Sequence, residues 1–263
     1  MSEAQNRQFD VAFVAGAGAE LVDIAGPWGV FEYATSPHTG RSPFTLSLVA
    51  ATSEPVTLSG GMLVIPTRTF SEASNPDIVV VPAIGVEFSN DLLDWLRATH
   101  STAVVTMSVC NGAFALAAAG LLNRRTATCH HGSYRLMQAL YPEVIVERGL
   151  RWIDHGDIAT AGGLTSGTDL ALRIVERLLG TEAAQTAATD LEYFSDGWRD
   201  PTINAQFTVE ATAPAGRALD PICGMTVDPT NTPGVTWEGR DYSFCCEWCR
   251  DVFLATPARF TSY

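Results

Sequence analysis

Short apolar runs rich in β-branched residues alternate along this chain with stretches of helical periodicity. That alternation constrains the fold more than any other feature of the sequence. FDVAFVAGAG is followed by DIAGPWGVFEYA, where Pro27 suits a position near a helix start. FTLSLVAA reads as a further strand, and VTLSGGMLVIPT as a hairpin or paired short strands around Gly60–Gly61. NPDIVVVPA is almost continuously apolar, the pattern of a strand covered on both faces. NDLLDWLRATH sets Leu92, Leu93, Trp95 and Leu96 on an amphipathic helix that Asn90 is suited to cap. AVVTMSV and NGAFALAAAGLL predict another strand and helix, and VIVERGLRWIDHGDIATAGG predicts two or three short strands. SGTDLALRIVERLLG predicts a helix in which Ser166 and Asp169 have capping-box spacing. These elements imply an α/β fold: a doubly wound, mostly parallel sheet with helices on both faces, whose sites gather at the carboxyl ends of the strands.

The pattern stops near residue 195, so residues 1–195 are expected to form the main domain. Residues 196–218 carry Pro, Gly and Ala without clear periodicity and read as a linker. Residues 219–263 form a small tail holding four of the six cysteines. A length of 263 residues allows one sizeable core and a small second unit. The formal net charge of −13, with no Lys/Arg cluster, argues against nucleic-acid binding by bulk electrostatics. MSEAQNRQFD lacks the basic-then-apolar order of a signal peptide. The most apolar window, 101–122, is broken by Ser, Asn and Gly, which disfavours a membrane span. The expected compartment is therefore a reducing cytoplasm, where cysteines serve catalysis or metal binding rather than disulfides.

Ser108-Val-Cys110-Asn-Gly112 places small residues two before and two after a cysteine at a strand-to-helix junction. A sharp turn needs them, because backbone and neighbouring strands crowd those positions. A cysteine there sits at a helix N-terminus, which is expected to lower its thiol pKa. Backbone N–H groups at the turn are placed to stabilise developing negative charge. The competing reading is a buried packing cysteine.

LVDIAGPWGVFEYA, VVVPAIG, VCNGAFALAAAGLL, ATCHH and DIATAGGLTSGTDLALRIVERLLG occur in an order that resembles the ThiJ/PfpI superfamily over roughly residues 8–195. The resemblance implies the flavodoxin-like sandwich of class I glutamine amidotransferases. Its nearest branch is that of the isonitrile hydratases and the related domains of AraC-type regulators. It makes Cys110 the nucleophile and Asp23, in the D-x-x-G-P block, the acid beside the sulfur; a helix N-cap is the other role open to Asp23. The resemblance gives Gly85 and Asn111 the backbone N–H groups at the site. His130 falls where the branch has Thr-x-His; a structural histidine is the alternative, and Cys129 reads as a small buried residue. The chain has Asn111 where isonitrile hydratases carry Thr and PfpI-type proteases carry His. It lacks the His-x-Glu pair of the amidotransferases, and it has Asp23 where many glyoxalase-like relatives have Glu. The implied activity is a cysteine-dependent hydro-lyase of the isonitrile hydratase type. It would act on a small-molecule substrate as a homodimer, with no cofactor in the main domain. A ligand-, redox- or metal-responsive sensor and a glyoxalase-like activity are the alternatives.

In the tail, a helix beginning near Cys245 would put Cys245 and Cys249 on one face, with Cys223 approaching from a preceding turn. Gathered thiolates suit zinc or copper(I), and iron is a third candidate. So short a segment has little core and needs a staple. DP-x-CGM-x-V, YSFC, Cys249 and P-x-R-F resemble the YHS domain, related to TRASH-type metal-binding modules. Cys246 stands where that pattern usually has Ser, and it is an expected fourth ligand or extra thiol; an acid, water or a partner molecule is the alternative.

Overall fold

The computed structural model describes residues 7–209 and 212–261. Along the chain come β1 (Phe9–Val14), α1 (Leu21–Tyr33), β2 (Phe44–Ala50), β3 (Arg68–Thr69), β4 (Ile78–Val81), α2 (Asn90–His100), β5 (Val105–Ser108) and α3 (Gly112–Ala118). Then follow α4 (Tyr134–Leu140), β6 (Trp152–Asp154), β7 (Ile158–Ala161), α5 (Ser166–Leu179) and α6 (Thr181–Asp190). The strands make one seven-stranded sheet ordered β6-β7-β5-β4-β1-β2-β3. Its pairs are parallel except β6–β7, which closes one edge antiparallel.

The near-continuous apolar strand is covered on both sides, as expected. Ile78 and Val80 face a core built with α1, α5 and α6, whereas Val79 and Val81 face one built with α2, α3 and α4. The alternating directions of successive side chains require this once both faces carry helices. Val56–Thr57 and Leu63–Val64 form the expected hairpin. Gly60 and Gly61 turn it at φ of 66° and 83°, which glycine adopts without steric cost. Among the described residues, no helix is long and apolar enough to cross a membrane.

Three local expectations need correction. α1 starts at Leu21, so Pro27 lies well inside it; the Glu20 side chain caps the start by accepting the Val22 N–H. Asn90 is the first helical residue of α2, and Ser89 caps it by accepting the Leu92 N–H at 3.3 Å. Ser166 begins α5 with its hydroxyl buried and unpartnered, and Asp169 does not close a capping box. The Asp169 carboxyl instead pairs with Arg151 and accepts the Tyr193 hydroxyl at 3.0 Å.

The segment after α6 is held to the body. Trp198 is fully buried in the core beneath α5, and the Trp152 indole donates to the Gly197 carbonyl at 2.8 Å. The tail folds into β8 (Ala218–Leu219), β9 (Thr226–Val227), β10 (Gly234–Trp237), β11 (Arg240–Ser243) and α7 (Glu247–Ala255). These make two antiparallel pairs and one helix. Phe253 anchors the tail among Tyr242, Phe244 and Phe260, with ring centroids 4.8, 5.2 and 6.4 Å away. Phe253, Phe244 and Ile222 share one buried cluster with Phe114 and Met137 of the main body. Arg259 also donates to the Ala139 carbonyl at the end of α4, at 2.5 Å.

Candidate active site and thiol cluster

Cys110 follows β5 with φ of 58°, the left-handed conformation that a strand-to-helix elbow imposes on a non-glycine residue. Val109 N–H donates to the Val81 carbonyl, and Cys110 N–H to the Gly162 carbonyl at 2.8 Å, so neighbouring strands clamp the turn from both sides. A Cβ at Gly112 would collide with the Val81 carbonyl oxygen, so the small residue after the cysteine is a steric requirement.

Asp23, in the first turn of α1, is fully buried beside this elbow. Its Oδ2 accepts the Ala83 N–H at 3.0 Å. It does not cap α1. Burial, chiefly, raises its pKa from 3.8 to about 7, while hydrogen bonds from Ala83, Leu164 and Cys110 oppose the rise. The expected lowering of the thiol pKa is overturned. Burial, first, and the Asp23 charge, second, push Cys110 up to about 12 against hydrogen bonds from the Asn111 and Leu164 N–H groups. The short helix α3 does not offset the loss of water.

Of the two expected backbone donors, Asn111 serves the sulfur and Gly85, at φ of 94°, is not among the groups acting on it. Leu164, which sequence reasoning missed, supplies the other N–H from φ of 51°. Two glycines precede it in GGL, the one local hint of an unusual backbone there. Buried oxygens of Ser108 and Asn111 lack hydrogen-bond partners. Such concentrations of unpaired polar atoms mark a place where a ligand or water completes the hydrogen bonding.

His130 is also not among the groups acting on the sulfur. Its Nδ1 accepts the Gly132 N–H at 3.1 Å, and its ring fills the space that a Cβ on Gly163 would take. His131 lies 4.3 Å from it, ring to ring, and stacks on Phe207 at 4.1 Å. Burial holds both imidazoles below their ordinary pKa. Cys129 is buried, as expected.

In the tail, Asp220, Cys223, Cys245 and Cys249 bring their ligand atoms within 4.8 Å of one another. The Cys245 sulfur is 3.6 Å from that of Cys223 and 3.5 Å from that of Cys249, with all three thiols free. A tetrahedron with metal–sulfur bonds of 2.3 Å has edges of about 3.8 Å, so the trio fits a soft cation with little movement. Cys246 is exposed at the start of α7; its sulfur is 3.7 Å from that of Cys245 but lies outside the group of four. The fourth member is Asp220, whose carboxylate ties the two loops together. Oδ1 accepts the Ile222 N–H at 2.8 Å and Oδ2 the Cys245 N–H at 2.8 Å. A hydrogen bond from Cys249 is the main cause lowering Cys223 to about 7, whereas Cys245 and Cys249 are pushed up.

Comparison with known proteins supports this architecture. The profile of the DJ-1/PfpI family matches residues 10–177. The isonitrile hydratase of Pseudomonas putida is 32% identical over 187 residues, covering 70% of this chain and 78% of that protein. The HTH-type transcriptional regulator CdhR of Pseudomonas aeruginosa is 32% identical over 141 residues, but this covers 52% of the chain and 41% of the regulator. A copper-transporting P-type ATPase of Rhizobium leguminosarum bv. viciae is 56% identical over 39 residues, 14% of this chain and 5% of that protein. The crystal structure of a ThiJ/PfpI family protein from Pseudomonas syringae superposes with a TM-score of 0.64 at 24% identity, covering 73% of this chain and 78% of that one. With regulators among the relatives, the expectation of no nucleic-acid partner draws no support from these likenesses. The parallel sheet, the cysteine elbow after β5 and the match over most of the sheet body agree, and the chain belongs to the DJ-1/PfpI family.

Proposed function

We propose that this protein hydrates small isonitriles, using Cys110 as nucleophile and Asp23 as proton carrier. The observation that carries the reading is the pairing of a buried thiol with a carboxyl whose pKa of about 7 suits both taking and giving a proton near neutrality. Asp23 removes the thiol proton as sulfur attacks the terminal carbon of R–NC, then delivers that proton to the same carbon, giving a thioimidate. Water adds to the thioimidate carbon, and collapse expels the Cys110 thiol and releases R–NH–CHO. The N–H groups of Asn111 and Leu164 hold the sulfur as its charge changes. In this scheme the Gly85 N–H faces the substrate, and His130, packed against Gly163, positions the turn that carries Leu164. The 32% likeness to an isonitrile hydratase supports it.

The tail, a YHS-type module in this reading, holds a soft cation on Cys223, Cys245 and Cys249, with Asp220 as the fourth group. Zinc, iron and copper(I) are the candidates. The 39-residue likeness to a copper-transporting P-type ATPase favours copper(I). The body itself carries no cofactor, and the chain works as a homodimer in a reducing cytoplasm that keeps its thiols free.

The test is turnover of a panel of isonitriles by wild-type protein and Cys110→Ala, detecting the formamide. Many products per chain, lost in the variant, is the expected result; equal turnover by the variant removes the mechanism. A sensor is the second reading, favoured by the regulators among the relatives. It would give stoichiometric modification of Cys110 and no turnover.

A further inference from the structure

A cavity of about 360 Å³ lies between the tail and the sheet body, with Cys223 and Met225 on one wall and His130 and His131 on the other. From the cluster side, the Cys223 carbonyl packs against Gly132, whose N–H donates to His130 Nδ1 at 3.1 Å. The His130 ring lies hard against Gly163, and the next residue, Leu164, turns its N–H to both Asp23 and Cys110. One run of contacts thus leads from the metal-fitting thiols to the nucleophile. Arg135 and Arg148 also line the cavity; its soft donors are the Cys223 thiol, the Met225 thioether and the His130 and His131 imidazoles, groups that select soft cations over hard ones.

The chemistry of the two ends is complementary. The terminal carbon of an isonitrile holds a lone pair that binds soft d10 cations such as copper(I). Hydration needs that lone pair, because the carbon must accept a proton. A metal-bound isonitrile therefore has to lose its metal before the reaction at Cys110 is completed. Resting on the hydratase reading above, we infer that the substrates are isonitriles delivered as copper(I) complexes, with Cys223, Cys245 and Cys249 removing the metal and Cys110 hydrating the freed ligand. The copper–carbon bonds break as copper–sulfur bonds form, and the thiol protons pass to solvent. Copper remains copper(I) throughout, so no oxidant or reductant enters. Each freed R–NC then takes up one water to give R–NH–CHO.

The experiment supplies cyclohexyl isonitrile, free or as its copper(I) complex, to the full chain under anaerobic conditions with protein in excess over copper. It reads both N-cyclohexylformamide and the copper that co-elutes with protein after desalting. Wild-type protein is expected to hydrate both forms and to retain the copper. The triple variant Cys223→Ser, Cys245→Ser, Cys249→Ser is expected to match wild type on the free isonitrile. On the complex it should yield about tenfold less formamide or lower, with no copper co-eluting. Equal yields from the complex in both proteins overturn the inference, as does wild type that hydrates the free ligand but refuses the complex. Absence of hydration of the free ligand by wild type overturns the hydratase reading and this inference with it. Should the triple variant fail to fold, wild-type protein preloaded with copper(I) serves in its place. It is expected to hydrate the free ligand and refuse the complex, and acceptance of both overturns the inference.

Discussion

The Asp23 carboxyl and the Cys110 thiol share one buried site, in which the carboxylate charge raises the thiol pKa while the thiol's hydrogen bond holds the carboxyl down. Asp23→Asn separates the two effects. With no carboxylate beside it, Cys110 ionises at a lower pH than in wild type, though still above its ordinary 9.0 because burial is the larger cause. Turnover nevertheless falls by about a hundredfold or more, the usual loss when a proton carrier is removed. The check is the pH profile of Cys110 alkylation, followed by mass spectrometry, beside formamide formation. A variant that gains thiolate and keeps full activity would remove Asp23 from the mechanism.

The same carboxyl makes stability depend on pH. In the folded chain Asp23 holds its proton up to about pH 7, whereas the unfolded chain releases it near 3.8. The folded state therefore binds the extra proton between those values, and stability falls as pH rises through that window and levels off above it. A rise from 3.8 to about 7 corresponds to on the order of 4 kcal/mol for this one group. Asp23→Asn is expected to be more stable than wild type at pH 8, with the gain shrinking toward pH 4.5. Urea unfolding of both proteins at the two pH values measures it, and a pH-independent difference contradicts the assignment.

Leu164 occupies φ of 51°, which costs a leucine about 1 kcal/mol that glycine would not lose. Leu164→Gly keeps the N–H that serves Cys110 and Asp23. It should gain up to about that much stability, less the entropy glycine loses on folding, with turnover unchanged. Gly163→Ala, one residue earlier, drives a methyl into the His130 ring and should reduce turnover while both catalytic side chains remain. Thermal unfolding and steady-state rates on the pair tell whether this loop sets the site.

How much of this was legible in sequence follows from how local each feature is. Strand and helix alternation, the Gly60–Gly61 hairpin and the crowded turn at Cys110 are written in neighbouring residues, so periodicity and small-residue spacing reveal them. The thiol trio was legible from the crowding of cysteines in the tail, but not its geometry: α7 starts only at Glu247, so Cys245 meets Cys249 from the turn before the helix and not along one helical face. The direction of the Cys110 pKa was not legible, because burial belongs to the assembled sheet and outweighs a short helix's end. Leu164 was hidden because nothing in a leucine favours a left-handed backbone; the loop between β7 and α5 imposes it. Asp220 opens the DP-x-CGM-x-V run, yet it becomes the neighbour of three thiols only when its carboxylate bridges to the Cys245 N–H.

The Arg151–Asp169 pair tests the body's other buried charge. Asp169 is fully buried and burial raises its pKa, with the Arg151 charge opposing that rise and the Tyr193 hydroxyl adding a bond. Asp169→Asn leaves a guanidinium that is only 12% exposed without its counter-charge. Loss of one partner of such a pair costs about 3–5 kcal/mol. Chemical denaturation should show a loss of that size, and a change below about 1 kcal/mol would mean Arg151 finds solvent or Asn204 instead.

The thiol cluster makes a ranking of substitutions that metal loading can check. Cys249 is buried on the first turn of α7 and Cys245 lies centrally, 3.5 and 3.6 Å from its two neighbours. Cys245→Ser or Cys249→Ser should each abolish retention of one soft cation per chain through desalting. Cys246→Ser should keep it, because that thiol is exposed at the helix start and stands outside the group of four. Asp220→Ala should weaken retention partially and also lower tail stability, since the carboxylate bonds to Ile222 and Cys245 N–H groups hold both loops whether or not it touches the cation. Zinc and copper(I) competition against chelators of known affinity, run on all four variants, separates these outcomes. Loss of metal in Cys246→Ser with retention in Cys249→Ser would mean that the cation sits on the solvent side of α7, away from the cavity and the body.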